Sequence, residues 1–145
     1  MGDDEAILVY ASRLRDIMHR RLARRFREHG LTSGQFAVLQ ALWMFGESST
    51  GRLLEVMLGT GGNIRVVLAN LEDRGLIVRR ADPADGRVVL VDLTDAGRTL
   101  ISSIFPDEHA EWLADILAPI PADERADLAR ALARAIDRLR NAGEH

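Results

Sequence analysis

The feature that most constrains this chain is a change of period in its middle. Between Leu53 and Leu71 the apolar residues recur at three- and four-residue steps in two short stretches, Leu53, Leu54, Met57, Leu58 and then Ile64, Val67, Leu68, Leu71, separated by Gly59-Thr60-Gly61-Gly62. Such spacing marks amphipathic helices, and the glycines mark a tight turn between them. Ser48, Ser49 and Thr50 supply N-caps for the first of the two, and Gly75 stands where a C′ glycine closes the second. From Leu76 onward the period shortens. Leu76-Ile77-Val78 and Val88-Val89-Leu90-Val91 read as two short strands around the polar tip Ala81-Asp82-Pro83-Ala84-Asp85-Gly86-Arg87. Two short helices joined by a glycine turn and followed at once by a hairpin have the layout of a winged helix-turn-helix.

Helices flank this centre. Ile7, Tyr10, Leu14, Ile17, Met18, Leu22 and Phe26 give a long first helix that Gly30 closes. Thr32 and Gln35 have capping-box spacing, and Leu31 and Phe36 have hydrophobic-staple spacing, so a second helix starts near Ser33 and ends before Gly46. Thr94 caps a fifth helix carrying Leu100, Ile101 and Ile104, which Pro106 should kink or break before Trp112, Leu113, Ile116 and Leu117. After Pro119 and Pro121, Leu128, Ala131, Leu132, Ala135, Ile136 and Leu139 approach a heptad seam. The expected fold is therefore mainly α: one unit over 1–145, with a winged helix-turn-helix and a two-stranded wing at 31–97. Both chain ends, 5–29 and 98–141, form a helical dimerisation lobe. Ile7, Leu14, Leu128, Leu132, Ile136 and Leu139 are its expected homodimer contacts, because one small lobe could scarcely cover the terminal seam.

Composition narrows the chemistry. The 145 residues contain no cysteine, which removes disulfides, thiolate catalysis, zinc-thiolate sites and thiol redox sensing together. No window approaches the roughly 20 apolar residues of a membrane helix, and the opening Met-Gly-Asp-Asp-Glu is acidic where a signal peptide is basic. A cytoplasmic protein without membrane contact is expected. The net charge of −3 is segregated: residues 11 to 30 hold seven Arg against Asp16 and Glu28, and residues 99 to 145 hold nine acids against five Arg. His19, His29, His109 and His145 have no ligand spacing, and only His109 has carboxylates nearby, at Asp107 and Glu108, so no metal is expected. The glycine-rich segment at 59–63 lacks the Gly-Lys-Ser/Thr ending and the preceding strand of a phosphate loop. No cofactor is expected, and no nucleophile, base and orienter form a recognisable hydrolase motif.

With Ile64, Val67, Leu68 and Leu71 facing inward, Gly62, Asn63, Arg65, Val66, Ala69 and Asn70 lie on the outer face of the fourth helix. Arg suits guanine O6 and N7, Asn suits adenine N6 and N7, and Val suits a thymine methyl, while glycines at 61 and 62 let the helix N-terminus approach a phosphate. The same residues also fit an ordinary solvated helix face. The run from Leu71-Glu72-Asp73-Arg74-Gly75 through the hairpin to Thr94-Asp95-Ala96-Gly97 resembles the recognition-helix end, wing and following helix start of the MarR family. Leu31 through Leu39 resembles that family's second helix, and Thr60 to Ile64 its recognition-helix entry. One departure stands at Ala69-Asn70, where the family often has Asp-Arg. The resemblance implies that Asp85 fixes the wing, that Arg87 reaches into or beside the minor groove, and that Arg79 and Arg80 lie near phosphates. Asp85 and Arg87 read equally as a local ion pair tightening the turn.

The expected DNA-binding set is thus Thr50, Gly62, Asn63, Arg65, Val66, Asn70, Arg79, Arg80, Asp85 and Arg87. The expected partner is a pseudo-palindromic operator in double-stranded DNA, bound by a homodimer acting as a repressor. By the same resemblance a small aromatic effector sits near the first, second and fifth helices, with Tyr10, Arg15, His19, Trp43 and Met44 as candidates, although aromatics at helical spacing also serve as core. The Arg stripe at 13, 20, 24 and 27 fits a solvated face, a phosphate flank or an interchain contact. The competing reading is a protein-interaction module that uses the helix-turn-helix as a packing scaffold and its acidic C-terminal helix as the binding element.

Overall fold

The computed structural model describes residues 1–58, 60–105 and 107–142. The chain divides into two compact units, Met1–Phe105 and residues 106–145. In the first, α1 (Asp3–Glu28), α2 (Ser33–Phe45), β1 (Ser48–Ser49), α3 (Thr50–Val56), α4 (Ile64–Asp73), β2 (Ile77–Ala81), β3 (Val89–Leu93) and α5 (Asp95–Ile104) follow in order. The second holds α6 (Asp107–Leu117) and α7 (Ala122–Ala142). Among the described residues no helix is long and apolar enough to cross a membrane.

The helix boundaries follow from their caps. Thr32 accepts a hydrogen bond from the N–H of Gln35 at 3.2 Å, and the Gln35 side chain accepts one from the N–H of Thr32 at 3.0 Å, closing the expected capping box. Leu31 and Phe36, the staple pair, are both buried. Gly75 has φ +70°, and the N–H groups of Leu76 and Gly75 donate to the carbonyls of Leu71 and Glu72, a Schellman closure that turns the chain from α4 into the hairpin. Pro106, expected to break the helix after Ile104, lies outside the described residues, as does Gly59 of the turn before α4; α5 ends at Ile104 and α6 starts at Asp107.

The expected two-stranded wing is present as the β2–β3 hairpin, and the sheet gains one further strand, β1. The sheet has three antiparallel strands in the order β1-β3-β2, with Ser48 opposite Val91 and Ile77 opposite Leu93. A two-residue strand of serines carries no apolar pattern, so only its pairing with β3 reveals it. The observed strands also run later than expected: backbone pairing carries β2 past Val78 to Ala81, opposite Val89, and carries β3 past the polar Asp92 to the buried Leu93, opposite Ile77.

Phe26, Val38, Leu39, Leu42, Leu53, Leu68, Leu71, Ile77, Val91, Ile101 and Ile104 form the fully buried core of the first unit. Each helix from α1 to α5 contributes its inward stripe, so the core holds α4 and the hairpin to one frame. In α1 only the C-terminal half is part of it. Leu22, Ala23 and Phe26 are buried, whereas Ile7, Tyr10, Leu14 and Ile17 of the same stripe are exposed.

Candidate nucleic-acid interface

The recognition-helix candidate α4 begins at an N-cap whose side chain is already engaged, since Asn63 Oδ1 accepts from the N–H of Arg65 at 3.0 Å. In the preceding turn, Thr60 Oγ1 donates to the Met57 carbonyl at 2.8 Å and accepts from the N–H of Gly62 at 3.4 Å. A Cβ on Gly62 would come within 3.0 Å of Met57 Cε, so the turn is seated directly on that buried side chain. The inward stripe is as expected, with Val67, Leu68 and Leu71 buried and Ile64 packed against the core. On the outer face Arg65 is exposed and its guanidinium has no partner among the described residues, and Val66 is 66% exposed. Asn70 is exposed but not free, because its Oδ1 accepts from Gln35 Nε2 at 2.8 Å.

The wing tip is organised by its acids. Asp82 Oδ1 accepts from the N–H of Ala84 at 2.8 Å, and Asp85 Oδ1 accepts both from the N–H of Arg87 at 3.1 Å and from its Nε at 3.3 Å. The Arg87 side chain is nonetheless 92% exposed, so the local pair and an outward reach coexist. Thr50 heads α3 and donates to the Val89 carbonyl at 3.4 Å, while Ser49 takes the N-cap role by accepting from the N–H of Arg52.

Arg79 and Arg80, on β2, are both held by carboxylates in two-pronged pairs. Arg79 donates to Glu72 at 2.8 and 3.0 Å, and Arg80 to Glu47 at 2.6 and 2.9 Å. The hydrogen bonds from Arg79 hold the Glu72 carboxyl below its ordinary value, and each guanidinium is pushed above its own by the matching carboxylate. Glu72, Glu47 and Gln35 were not among the expected site residues. Glu47 and Arg80 are 33 residues apart, Gln35 and Asn70 are 35 apart, and no local period links a helix end such as Glu72 to a strand.

Of the effector candidates, Arg15 and His19 line a cavity of about 400 Å³ together with Ser33, Phe36, Gln40 and Thr60. It is bounded by α1, α2 and the connection from α3 to α4. Tyr10 and Met44 are exposed elsewhere, and Trp43 stacks on Phe105 with ring centroids 5.2 Å apart. The expected dimer residues Ile7, Leu14, Leu128, Ile136 and Leu139 are exposed, and Leu132 is half-buried.

A helix-turn-helix whose second helix presents polar and basic side chains, beside a hairpin tipped with an extended arginine, defines a winged-helix DNA-binding regulator. Comparison with known proteins narrows the class. The model of the family "Transcriptional regulator SarA/Rot" matches residues 24–104. The HTH-type transcriptional regulator MhqR of Bacillus subtilis is 29% identical over 81% of this chain and 81% of its own length. The HTH-type transcriptional repressor NicR of Pseudomonas putida is 33% identical over 78% of this chain and 71% of its own. Among solved structures, NadR in complex with 4-hydroxyphenylacetate superimposes with a TM-score of 0.74 at 21% identity, covering 88% of this chain and 89% of NadR. A mutant of Escherichia coli MarR complexed with operator DNA does so with a TM-score of 0.55 at 23% identity, covering 88% and 94%. The chain belongs to the MarR family of winged helix-turn-helix transcriptional regulators.

Proposed function

We propose that this regulator is a homodimeric repressor that binds a pseudo-palindromic operator with α4 in the major groove and the wing at the flanking minor groove, acts by occupancy without catalysis, and is released by a small aromatic effector. The observation that carries the DNA reading is that one compact unit presents both Arg65, exposed without a partner among the described residues on α4, and Arg87, almost fully exposed at the wing tip. An Arg on a recognition helix can pair with guanine O6 and N7, and a narrow minor groove concentrates negative potential that attracts an inserted Arg. The dimer lobe is drawn from both chain ends, 5–29 and 98–141, and two α4 helices then lie about one DNA turn, ~34 Å, apart. Repression is supported by the relative NicR, whose name is that of a repressor. The effector is supported by NadR, solved with 4-hydroxyphenylacetate, and by the cavity at Arg15 and His19, whose Thr60 belongs to the turn that seats α4. A molecule bound there would favour one placement of that turn and shift the population toward or away from the DNA-binding form. The site of action is cytoplasmic.

Binding of Arg65→Ala and Arg87→Ala to operator and scrambled duplexes across a salt series tests the DNA reading. Arg65→Ala is expected to cost about 1–3 kcal/mol on the operator and to relax preference at one base position. Arg87→Ala is expected to weaken both duplexes more evenly and to reduce the slope of log K against log salt by about one. Loss of a single major-groove base preference in Arg87→Ala, or no effect of Arg65→Ala, overturns the assignment of helix and wing.

A further inference from the structure

We propose that Gln35 fixes the polarity of Asn70, so that the recognition helix offers the duplex the amide N–H donors of Asn70 and selects a hydrogen-bond acceptor there; this rests on the reading of α4 as the DNA-facing helix. One group beside Gln35 cannot be reversed. The backbone N–H of Thr32 can only donate, and the Gln35 atom facing it at 3.0 Å is therefore the amide oxygen, Oε1. A planar amide carries its oxygen and its NH₂ on opposite prongs, so Gln35 turns its NH₂ toward Asn70. That NH₂ can only donate in turn, and Asn70 meets it with Oδ1 at 2.8 Å.

Asn70 Nδ2 is then left pointing away from Gln35, with no partner among the described residues. Reversing either amide would bring donor against donor or oxygen against oxygen at Gln35, which is only 8% exposed and has little water to compensate. The capping box of α2 thus dictates what a side chain of α4 displays.

The consequence bears on sequence reading. A free Asn recognises adenine by accepting from N6 and donating to N7 at once. In this chain the Asn70 oxygen is turned toward Gln35 with one of its lone pairs occupied, and the two Nδ2 hydrogens are displayed. Guanine offers two adjacent acceptors, N7 and O6, and thymine offers O4, whereas adenine sets its N6 donor beside its one acceptor, N7, and cytosine presents the N4 donor. A phosphate oxygen offers the same acceptor chemistry without sequence information.

Two substitutions reverse the displayed polarity by different routes. In Gln35→Glu, one carboxylate oxygen still accepts from Thr32, in the commonest form of a capping box, so α2 keeps its start. The other oxygen now requires a donor, and Asn70 turns its NH₂ inward and its oxygen outward. In Asn70→Asp the inward bond from Gln35 survives and the outward atom becomes an acceptor.

Selection from a random-sequence duplex library, followed by affinity measurements on the enriched duplexes, reads the result for wild type, Gln35→Glu, Asn70→Asp, Asn70→Ala and the Gln35→Glu/Asn70→Ala double variant. If the acceptor is a base, both polarity variants are expected to move one position from guanine or thymine toward cytosine or adenine by about tenfold. If it is a phosphate, both weaken all duplexes alike with no shift in preference. In either case the effect of Gln35→Glu beyond that of its added charge disappears in the Asn70→Ala background. An effect of Gln35→Glu that is the same with and without the Asn70 side chain overturns the proposal. So does NMR hydrogen exchange on the free protein, if the Asn70 side-chain amide protons are protected in wild type rather than becoming protected only in Gln35→Glu. Arg65→Ala serves as the reference. Loss of binding there without coupling between Gln35 and Asn70 removes this inference alone, whereas indifference to both Arg65→Ala and Asn70→Ala removes the DNA-facing role of α4 and the inference with it.

Discussion

The four arginines expected to face DNA, Arg65 on α4 and Arg79, Arg80 and Arg87 in the wing, differ sharply in what holds them. Arg65 and Arg87 extend from the surface, whereas Arg79 and Arg80 are each gripped by a carboxylate at both prongs. A phosphate reaching Arg79 must displace Glu72, which costs little because exposed ion pairs contribute modestly. The pair is testable without DNA. Arg79 lowers the Glu72 carboxyl below its ordinary value, so the stability it adds is complete above that value and is lost as pH falls through the depressed one. An NMR pH titration is expected to give Glu72 a midpoint below the ordinary glutamate range in wild type, moving back toward that range in Arg79→Gln. A midpoint indifferent to the substitution would show that the clamp does not persist in solution. At this scale the sequence was half legible. Residue types and the outward face of α4 follow from local spacing, whereas the partners Glu47, Glu72 and Gln35 are brought in by tertiary packing across distances that no periodicity encodes.

Elements were more legible than partners, because caps and apolar stripes are local. The capping box at Thr32, the closure at Gly75 and the inward stripe of α4 all stand where spacing puts them. β1 was not legible, since two serines pair with β3 through backbone groups alone. The junction of β2 and α5 shows how tightly these elements are joined. Thr94 caps α5 by accepting from Gly97 at 3.0 Å and donates its hydroxyl to the Gly75 carbonyl at 2.6 Å, and its own N–H donates to the Leu76 carbonyl. A Cβ on Gly97 would stand 2.1 Å from that Leu76 oxygen, a backbone atom that cannot swing aside. Gly97→Ala is therefore expected to destabilise by about 3 kcal/mol, at the upper end of overpacking costs. Gly86→Ala at the wing tip, where nothing lies within 4 Å, is expected to stay within about 1 kcal/mol. Urea unfolding of both variants checks the contrast, and equal stabilities would mean that α5 is not seated on the start of β2.

At the scale of the whole molecule, the proposed mechanism depends on a second copy. The apolar stripe of α1 is buried only from Leu22 onward, and α7 leaves Ile136 at 52% and Leu139 at 70% exposure. Apolar side chains repeated along one face of a helix and left in water are the mark of an interface. Light scattering at micromolar concentration is therefore expected to give twice the 16.1 kDa chain mass. Ile136→Asp/Leu139→Asp places two charges on the seam and is expected to give the single-chain mass. The first unit keeps its own core, so circular dichroism should still report a folded helical protein. DNA binding then separates the dimer from the fold. A single unit meets about half of the phosphates that a pair meets, so the slope of log K against log salt should fall by about half, and affinity for a two-half-site duplex should drop to that for one half-site. A wild-type chain that runs as a monomer, or a monomeric variant that binds the two-half-site duplex as tightly as wild type, removes the two-fold mechanism and leaves α4 and the wing to act one chain at a time.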